Sequence, residues 1–427
     1  MKKFLALILA LVMALSLVAC GGGDNNTNGD NGDNANTEGK KVKVGFITLH
    51  DENSTYDLNF INGAKEAIAA LGLTEDDYIL KTNVPEGQEC YEAAMDMVDA
   101  GCNIIFADSF GHEPYMIDAA KENPDVQFCH STGTRAHTEG LANYHNAFAS
   151  IYEGRYLAGI AAGMKLNEMI EAGKFTAEEA KIGYVGAFTY AEVVSGYTSF
   201  FLGARSVCPT VTMDVTFTGS WYDEALEKEG AQLLIDKGCN LISQHADSLG
   251  APTACENAKV PNVSYNGSTK EAGPNTYIIS SRINWAPYYQ YAIQCVIDGK
   301  AIDADWTGTL ATGSVVLTEL NTDVAAAGTQ EAIDAAIAKL ESGELHVFDC
   351  ATFTTKADDT MNPFKVDFLK VDADGHITSY LADVDTDEAY TGDTEVVENG
   401  YFAESAKRSA PYFDLQIDGI NLLNTAM

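Results

Sequence analysis

A chain of 427 residues with 62 acidic against 26 basic side chains, a formal charge of −36, lacks the Lys and Arg clusters that nucleic-acid phosphates require. The same acidity argues against electrostatic attachment to anionic lipid and is read as solubilising charge on an extracellular protein rather than as a cation site. At 46% hydrophobic residues, the chain holds enough apolar mass for a substantial core.

The N-terminus follows the plan of a bacterial secretion signal, with Lys2 and Lys3 ahead of an apolar run from Phe4 to Leu15. That run falls short of the ~20 residues of a membrane span. It leads into Leu17-Val18-Ala19-Cys20, which resembles a lipobox. Residues 1–19 are therefore expected to be a signal peptide, and Cys20 the lipidated residue. Residues 20–41 are expected to be a flexible tether, because Gly21 to Lys40 contains no aromatic or large aliphatic side chain. The remainder of the chain is long enough for two domains.

From Lys41 onward the chain reads as alternating strands and helices. Val42 to Ile47 is β-rich and apolar, Gly63 to Leu71 has a helical pattern stopped by Gly72, and a second helix from Glu89 to Ala100 ends on Gly101 before a buried strand, Asn103 to Ala107. The pattern is then written again. VDAGCNIIFADSFG (98–111) returns as IDKGCNLISQHADSLG (235–250), KVGFI from Lys43 returns as KIGYV from Lys181, and FCHSTG ending at Gly133 has a partner in VSYNGS around Gly267. Such alternation makes right-handed βαβ units and parallel sheets. The predicted fold is α/β: two Rossmann-like lobes with parallel sheets joined by hinge strands. Lobe 1 takes 42–148, completed by about 270–310, and lobe 2 takes 149–269, completed by about 311–348. Residues 349–427 are expected to form a β-rich extension packed on one lobe, with a hairpin of 365–371 and 375–381 around Asp372-Ala373-Asp374.

Ligands of open parallel sheets bind beyond the carboxyl ends of the strands. Two facing lobes thus aim both sets of strand-end loops at one cleft. Tyr56, Phe188, Trp221 and Trp285 suit stacking on a flat ring, while Asp108, Asp247 and Asn266 suit its edge. Ser109, Phe110, Asn146 and Asn284 sit in the same loops. A sugar would use a similar kit.

No enzyme arrangement stands out. His145 and His245 occur with Asp108 and Asp247, but HExxH, GxSxG and the GxxxxGK[ST] loop are absent from the sequence, and each histidine is read as a hydrogen-bonding or packing residue. DADG at 372–375 is read as a turn, not a calcium loop. No metal or cofactor is expected. The eight cysteines after Cys20 show no CxxC spacing and are read as buried free thiols.

On NVPEGQ (83–88), YEGRYLAG (152–159), GSWYD (219–223), QHADS (244–248) and INWAPYY (283–289), the chain resembles the basic membrane protein family of ABC-transporter substrate-binding lipoproteins. The match runs from about Lys43 to Phe348. This resemblance implies a type I periplasmic-binding fold, no enzyme activity, and capture of a purine nucleobase or nucleoside, adenine-like, for an ABC permease. It also implies attachment to the cell membrane, on its outer face, through the lipid alone, and a monomer. By the same analogy Tyr56 stacks on one face of the base, with Phe188 or Trp221 on the other. YEGRYLAG is expected to open the first helix of lobe 2 in a structural role. Asn266 stands where relatives carry an aspartate, and Asn53-Ser54-Thr55 departs from the usual first loop. A ligand-sensing lipoprotein with a signalling partner, and a binder of another small ring or sugar, are the alternative readings.

Overall fold

The computed structural model describes residues 42–384 and 394–427; the expected signal peptide, Cys20 and the tether fall outside them. Lobe 1 opens with β1 (Val44–Ile47), α1 (Thr55–Ala70), β2 (Tyr78–Lys81), α2 (Gln88–Asp99), β3 (Ile104–Ala107), α3 (Glu113–Glu122), β4 (Gln127–Ser131), the short α4 (Ala136–Glu139) and β5 (Tyr144–Ala149). Lobe 2 repeats the scheme with α5 (Ile151–Glu171), β6 (Lys181–Gly186), α6 (Ala191–Val207), β7 (Thr212–Phe217), α7 (Glu224–Asp236), β8 (Leu241–His245), α8 (Gly250–Ala258), β9 (Asn262–Tyr265) and β10 (Tyr277–Ile283). The chain then returns to lobe 1 as α9 (Ala286–Asp298) and β11 (Asp305–Gly308), and to lobe 2 as β12 (Val315–Leu317) and α10 (Thr329–Ser342).

The repeated sequence has a physical cause at its GCN core. Gly101 and Gly238 end α2 and α7 with φ of +88° and +85°, a conformation only glycine adopts at no steric cost. Cys102 and Cys239 then turn inward and are buried. Asn103 and Asn240 clamp the opening of each lobe's first strand: the Asn103 carbonyl oxygen Oδ1 accepts the Lys43 amide at 2.9 Å, and Asn240 Oδ1 accepts the Lys181 amide at 2.9 Å. Each copy thus fixes the register of its third strand against its first. All eight cysteines after Cys20 are buried and free.

Sheet 1 has the order β11-β5-β4-β3-β1-β2 and is parallel throughout. In sheet 2 the order β12-β10-β9-β8-β6-β7 is parallel except for the edge strand β12. β10 therefore belongs to lobe 2, a correction to the expectation that 270–310 completes lobe 1. Only α9 and β11 of that segment do so, because the chain crosses at Ile283–Ala286, after β10 rather than before it. The other crossings are Ala149–Ile151 and the 309–314 loop. They are tied together: Ser150 N donates to Gly308 O at 2.8 Å and Asn284 N to Ser314 O at 2.7 Å.

YEGRYLAG does open the first helix of lobe 2, and its glycines bring α5 and α6 together. A Cβ on Gly159 would stand 2.0 Å from Phe200 O, and one on Gly203 2.0 Å from Tyr156 O, so backbone meets backbone there.

The extension builds β13 (Leu369–Val371) and β14 (Ile377–Ala382) as an antiparallel hairpin. The first strand is shorter than expected, since 365–368 turns, with Phe368 N donating to Lys365 O at 3.0 Å. Asp372 Oδ1 closes the intervening turn by accepting from the Asp374 and His376 amides, each at 2.9 Å. Short pairs β15 (Thr394–Glu395), β16 (Val397–Glu398) and β17 (Tyr401–Phe402) come next, and β18 (Ile420–Leu422) adds to sheet 2 beside β7. Phe348, Phe353, Tyr380, Phe402 and Phe413 join the lobe 2 core. The extension also touches lobe 1, where Ser409 N donates to Asp305 Oδ2 at 2.7 Å.

Inside the extension, Glu404 accepts the Tyr412 amide at 3.2 Å and the Phe413 amide at 3.0 Å. Burial pushes its carboxyl up from 4.5 to about 7. The folded protein therefore holds this proton more tightly than the unfolded chain, so the group's contribution to stability falls as pH rises from about 4.5 through 7. A shift from 4.5 to about 7 corresponds to on the order of 3 kcal/mol. Glu404→Gln is expected to gain stability relative to the parent between pH 5 and pH 8, read from urea midpoints. A difference constant across that range would contradict the assignment.

Candidate functional site

Between the lobes lies a cavity of about 360 Å³. Lobe 1 lines it with residues that follow its strands: Leu49, His50, Tyr56, Asp57, Ser109, Phe110 and Thr132. Lobe 2 contributes Glu192, Trp221, His245, Asp247, Tyr265 and Asn266. The cleft is shut by bonds across it. Thr55 N donates to Asp247 O at 3.1 Å, and Asn59 Nδ2 to Asn266 O at 2.6 Å. The Phe110 ring stacks on Tyr190 at 5.2 Å.

Of the residues expected from the sequence, Tyr56, Ser109, Phe110, Trp221, Asp247 and Asn266 line this cavity. Asp108 lies just behind the wall: its carbonyl accepts the Tyr56 hydroxyl at 2.8 Å and its Oδ1 the Leu49 amide at 3.1 Å. Phe188 backs Trp221, edge to face at 5.0 Å. Three expected residues are elsewhere. Asn146 is buried in β5, where its Oδ1 accepts the Ala136 amide at 2.6 Å and its Nδ2 donates to Tyr144 Oη at 3.0 Å and Glu113 Oε1 at 3.2 Å, so its amide is engaged within lobe 1. Asn284 serves the hinge, with Nδ2 donating to Gly313 O at 3.3 Å. Trp285 is 1% exposed and stacks on Phe60 at 4.4 Å, filling the lobe 1 core instead of the cleft.

His50, Asp57, Thr132, Glu192, His245 and Tyr265, which lie in strand-end segments but are not singled out by the sequence as ligand-binding, also line the cavity. For Thr132 the signal is in the repeat, since it is the counterpart of Asn266 in FCHSTG and VSYNGS. Both have left-handed backbone, φ +74° at Thr132 and +64° at Asn266. Asparagine tolerates that conformation, whereas in a β-branched threonine it is strained. Each lobe thus turns its chain sharply at the same strand end, toward the cavity. Asn266 Nδ2 donates to Asp247 Oδ1 at 3.0 Å, so an aspartate at 266 would set two carboxylates against each other in this closed arrangement.

The site is acidic. Asp57, Glu192 and Asp247 line it, and among the described residues no Lys or Arg does. Burial, with the charge of Asp57 next, holds the carboxyl of Asp247 well above its ordinary range, and the same two causes raise Asp108. For Asp57 burial acts upward, but bonds from His50 and Ser54 outweigh it and the carboxyl is lowered. Burial lowers His245, whose Nε2 stands 3.5 Å from Glu192 Oε1. Thr132 Oγ1 and Tyr265 Oη are buried without a hydrogen-bond partner among the described residues. Such orphaned groups around a cavity suit a ligand that satisfies them.

Residues 46–343 match the family model of PnrA-like ABC transporter substrate-binding proteins. A purine-binding protein of Brucella abortus is 31% identical over 72% of this chain and 83% of its own. A Haloferax volcanii protein named for ABC-transporter glucose binding is 34% identical over 60% of this chain and 62% of its own. An ABC-transporter solute-binding protein of Aeropyrum pernix, 18% identical, superimposes with a TM-score of 0.60 over 75% of this chain and 95% of its own, which speaks for the fold. With the type I periplasmic-binding architecture in place, the chain belongs to the family of PnrA-like ABC transporter substrate-binding proteins.

Proposed function

We propose that this substrate-binding protein captures a purine base or nucleoside, adenine-like, for an ABC permease, and that it is a monomer held at the outer face of the cell membrane by lipid on Cys20. The observation that carries the ligand class is the pairing of aromatic walls with carboxylate edges. Tyr56 and Trp221 bring aromatic rings from opposite lobes, and Glu192 and Asp247 offer acceptors. A flat heterocycle with N–H groups fills both needs, and an anion is repelled. The purine-binding relative supports the choice.

A sugar is the competing reading, since the glucose-named relative shares a comparable identity and sugars also stack on aromatic rings. Titration calorimetry of the purified mature protein with adenine, adenosine and glucose separates the two.

A further inference from the structure

A second, more open cavity adjoins the first. Phe110, Thr132 and Glu192 line both, so the two cavities are neighbours. Its outer wall comes from the C-terminal extension, at Arg408, Ala410, Pro411 and Asp414, beyond the residues matched by the family model. We propose, on the purine reading above, that the extension completes the binding site: the ring lies in the inner chamber and an uncharged, hydroxylated substituent of sugar size lies in the outer one.

The chemistry of the outer chamber selects such a group. Thr132 Oγ1 sits at the junction, in a residue 3% exposed, and has no partner among the described residues. Glu192 offers a carboxylate there, while that of Asp414 is held by Lys365 Nζ and by the Tyr380 hydroxyl at 2.7 Å. Arg408, the one cation in the lining among the described residues, is occupied: its guanidinium donates to Ala410 O at 3.1 Å, Val384 O at 3.0 Å and Pro411 O at 2.9 Å. A hydroxyl donor finds an acceptor in Glu192, while a phosphate meets that carboxylate and a guanidinium already bonded to main chain. The Ser409–Asp305 bond fixes the wall against lobe 1, so the chamber is held from both lobes.

The test uses the full mature protein and titration calorimetry with adenine, adenosine and adenosine monophosphate. Wild type is expected to bind adenosine about tenfold more tightly than adenine and the monophosphate at least about 100-fold more weakly than adenosine. Ala410→Phe fills the chamber from the extension, and Ala191→Phe fills it from the half-buried start of α6, which keeps the test alive if the first variant misfolds. Either folded variant is expected to lose about tenfold in adenosine affinity while holding adenine as before. Equal losses for both ligands, adenosine binding unchanged in both variants, or a monophosphate bound as tightly as adenosine would overturn the outer chamber while leaving the purine reading standing. Failure of wild type to bind either adenine or adenosine overturns the purine reading and this proposal with it.

Discussion

Arg155→Met is expected to cost about 4 kcal/mol of stability, because it removes a buried charge whose bonds tie three strands of lobe 2 together. The side chain is fully buried. Its Nη2 donates to Tyr184 Oη at 2.8 Å, Ser243 Oγ at 3.0 Å and Gln244 O at 3.4 Å, and its Nη1 to Ser264 O at 3.3 Å, reaching β6, β8 and β9. No carboxylate bonds it among the described residues; instead its guanidinium carbon lies 5.4 Å from the Tyr184 ring centre, 4.9 Å from that of Phe200 and 4.8 Å from that of Tyr265. Methionine fills similar space and removes a costly buried charge, but it strands those acceptors and loses the ring contacts. The balance favours loss. Tyr265 lines the cavity and Tyr184 Oη stands 3.4 Å from His245 Nδ1, so the folded fraction is also expected to bind ligand more weakly. Arg155→Lys keeps the charge without the planar fork and should fall between the two. Urea unfolding measures the effect, and a loss under about 1 kcal/mol would show that the arginine only fills space.

Asp247→Asn is expected to weaken ligand binding about 100-fold without harming the fold, as a buried carboxylate facing a ligand donor is replaced by an amide. The side chain is 5% exposed, at the point where Thr55 of lobe 1 meets its carbonyl. Asparagine keeps an acceptor for Asn266 Nδ2 yet turns a second N–H toward the cavity, where a donor on the ligand would meet it. Stability and binding should part company. Burial raises the Asp247 carboxyl, so holding it ionised costs the folded state, and the amide should leave the unliganded protein at least as stable. Calorimetry paired with thermal melts reads both effects. Undiminished affinity would move Asp247 out of the ligand's reach.

The two sheets were legible in the sequence because the features that repeat are the ones that set strand register, a left-handed glycine and an asparagine clamp beside a buried cysteine. The crossing order was not, since β10 looks locally like any other strand and only its neighbours β9 and β12 assign it to lobe 2. For the site, position after a strand identified Tyr56, Phe110, Trp221 and Asp247, which line the cavity. It misplaced Asn146 and Trp285 because local sequence does not say which side of the strand end a side chain faces. Glu192 and Tyr265 lie in strand-end segments of the same kind, and only the three-dimensional structure shows that they line the cavity. The docking of Ser409 on Asp305 is a long-range property, with the partners 104 positions apart in sequence.

The central claim, a purine held between two lobes, is tested most directly by titration calorimetry of the wild-type protein with adenine, adenosine and glucose. Saturable binding of a purine with a Kd of about 10 µM or lower, and no heat with glucose, is the predicted result. Binding of glucose with no response to either purine would contradict it and turn the aromatic cleft into a sugar site.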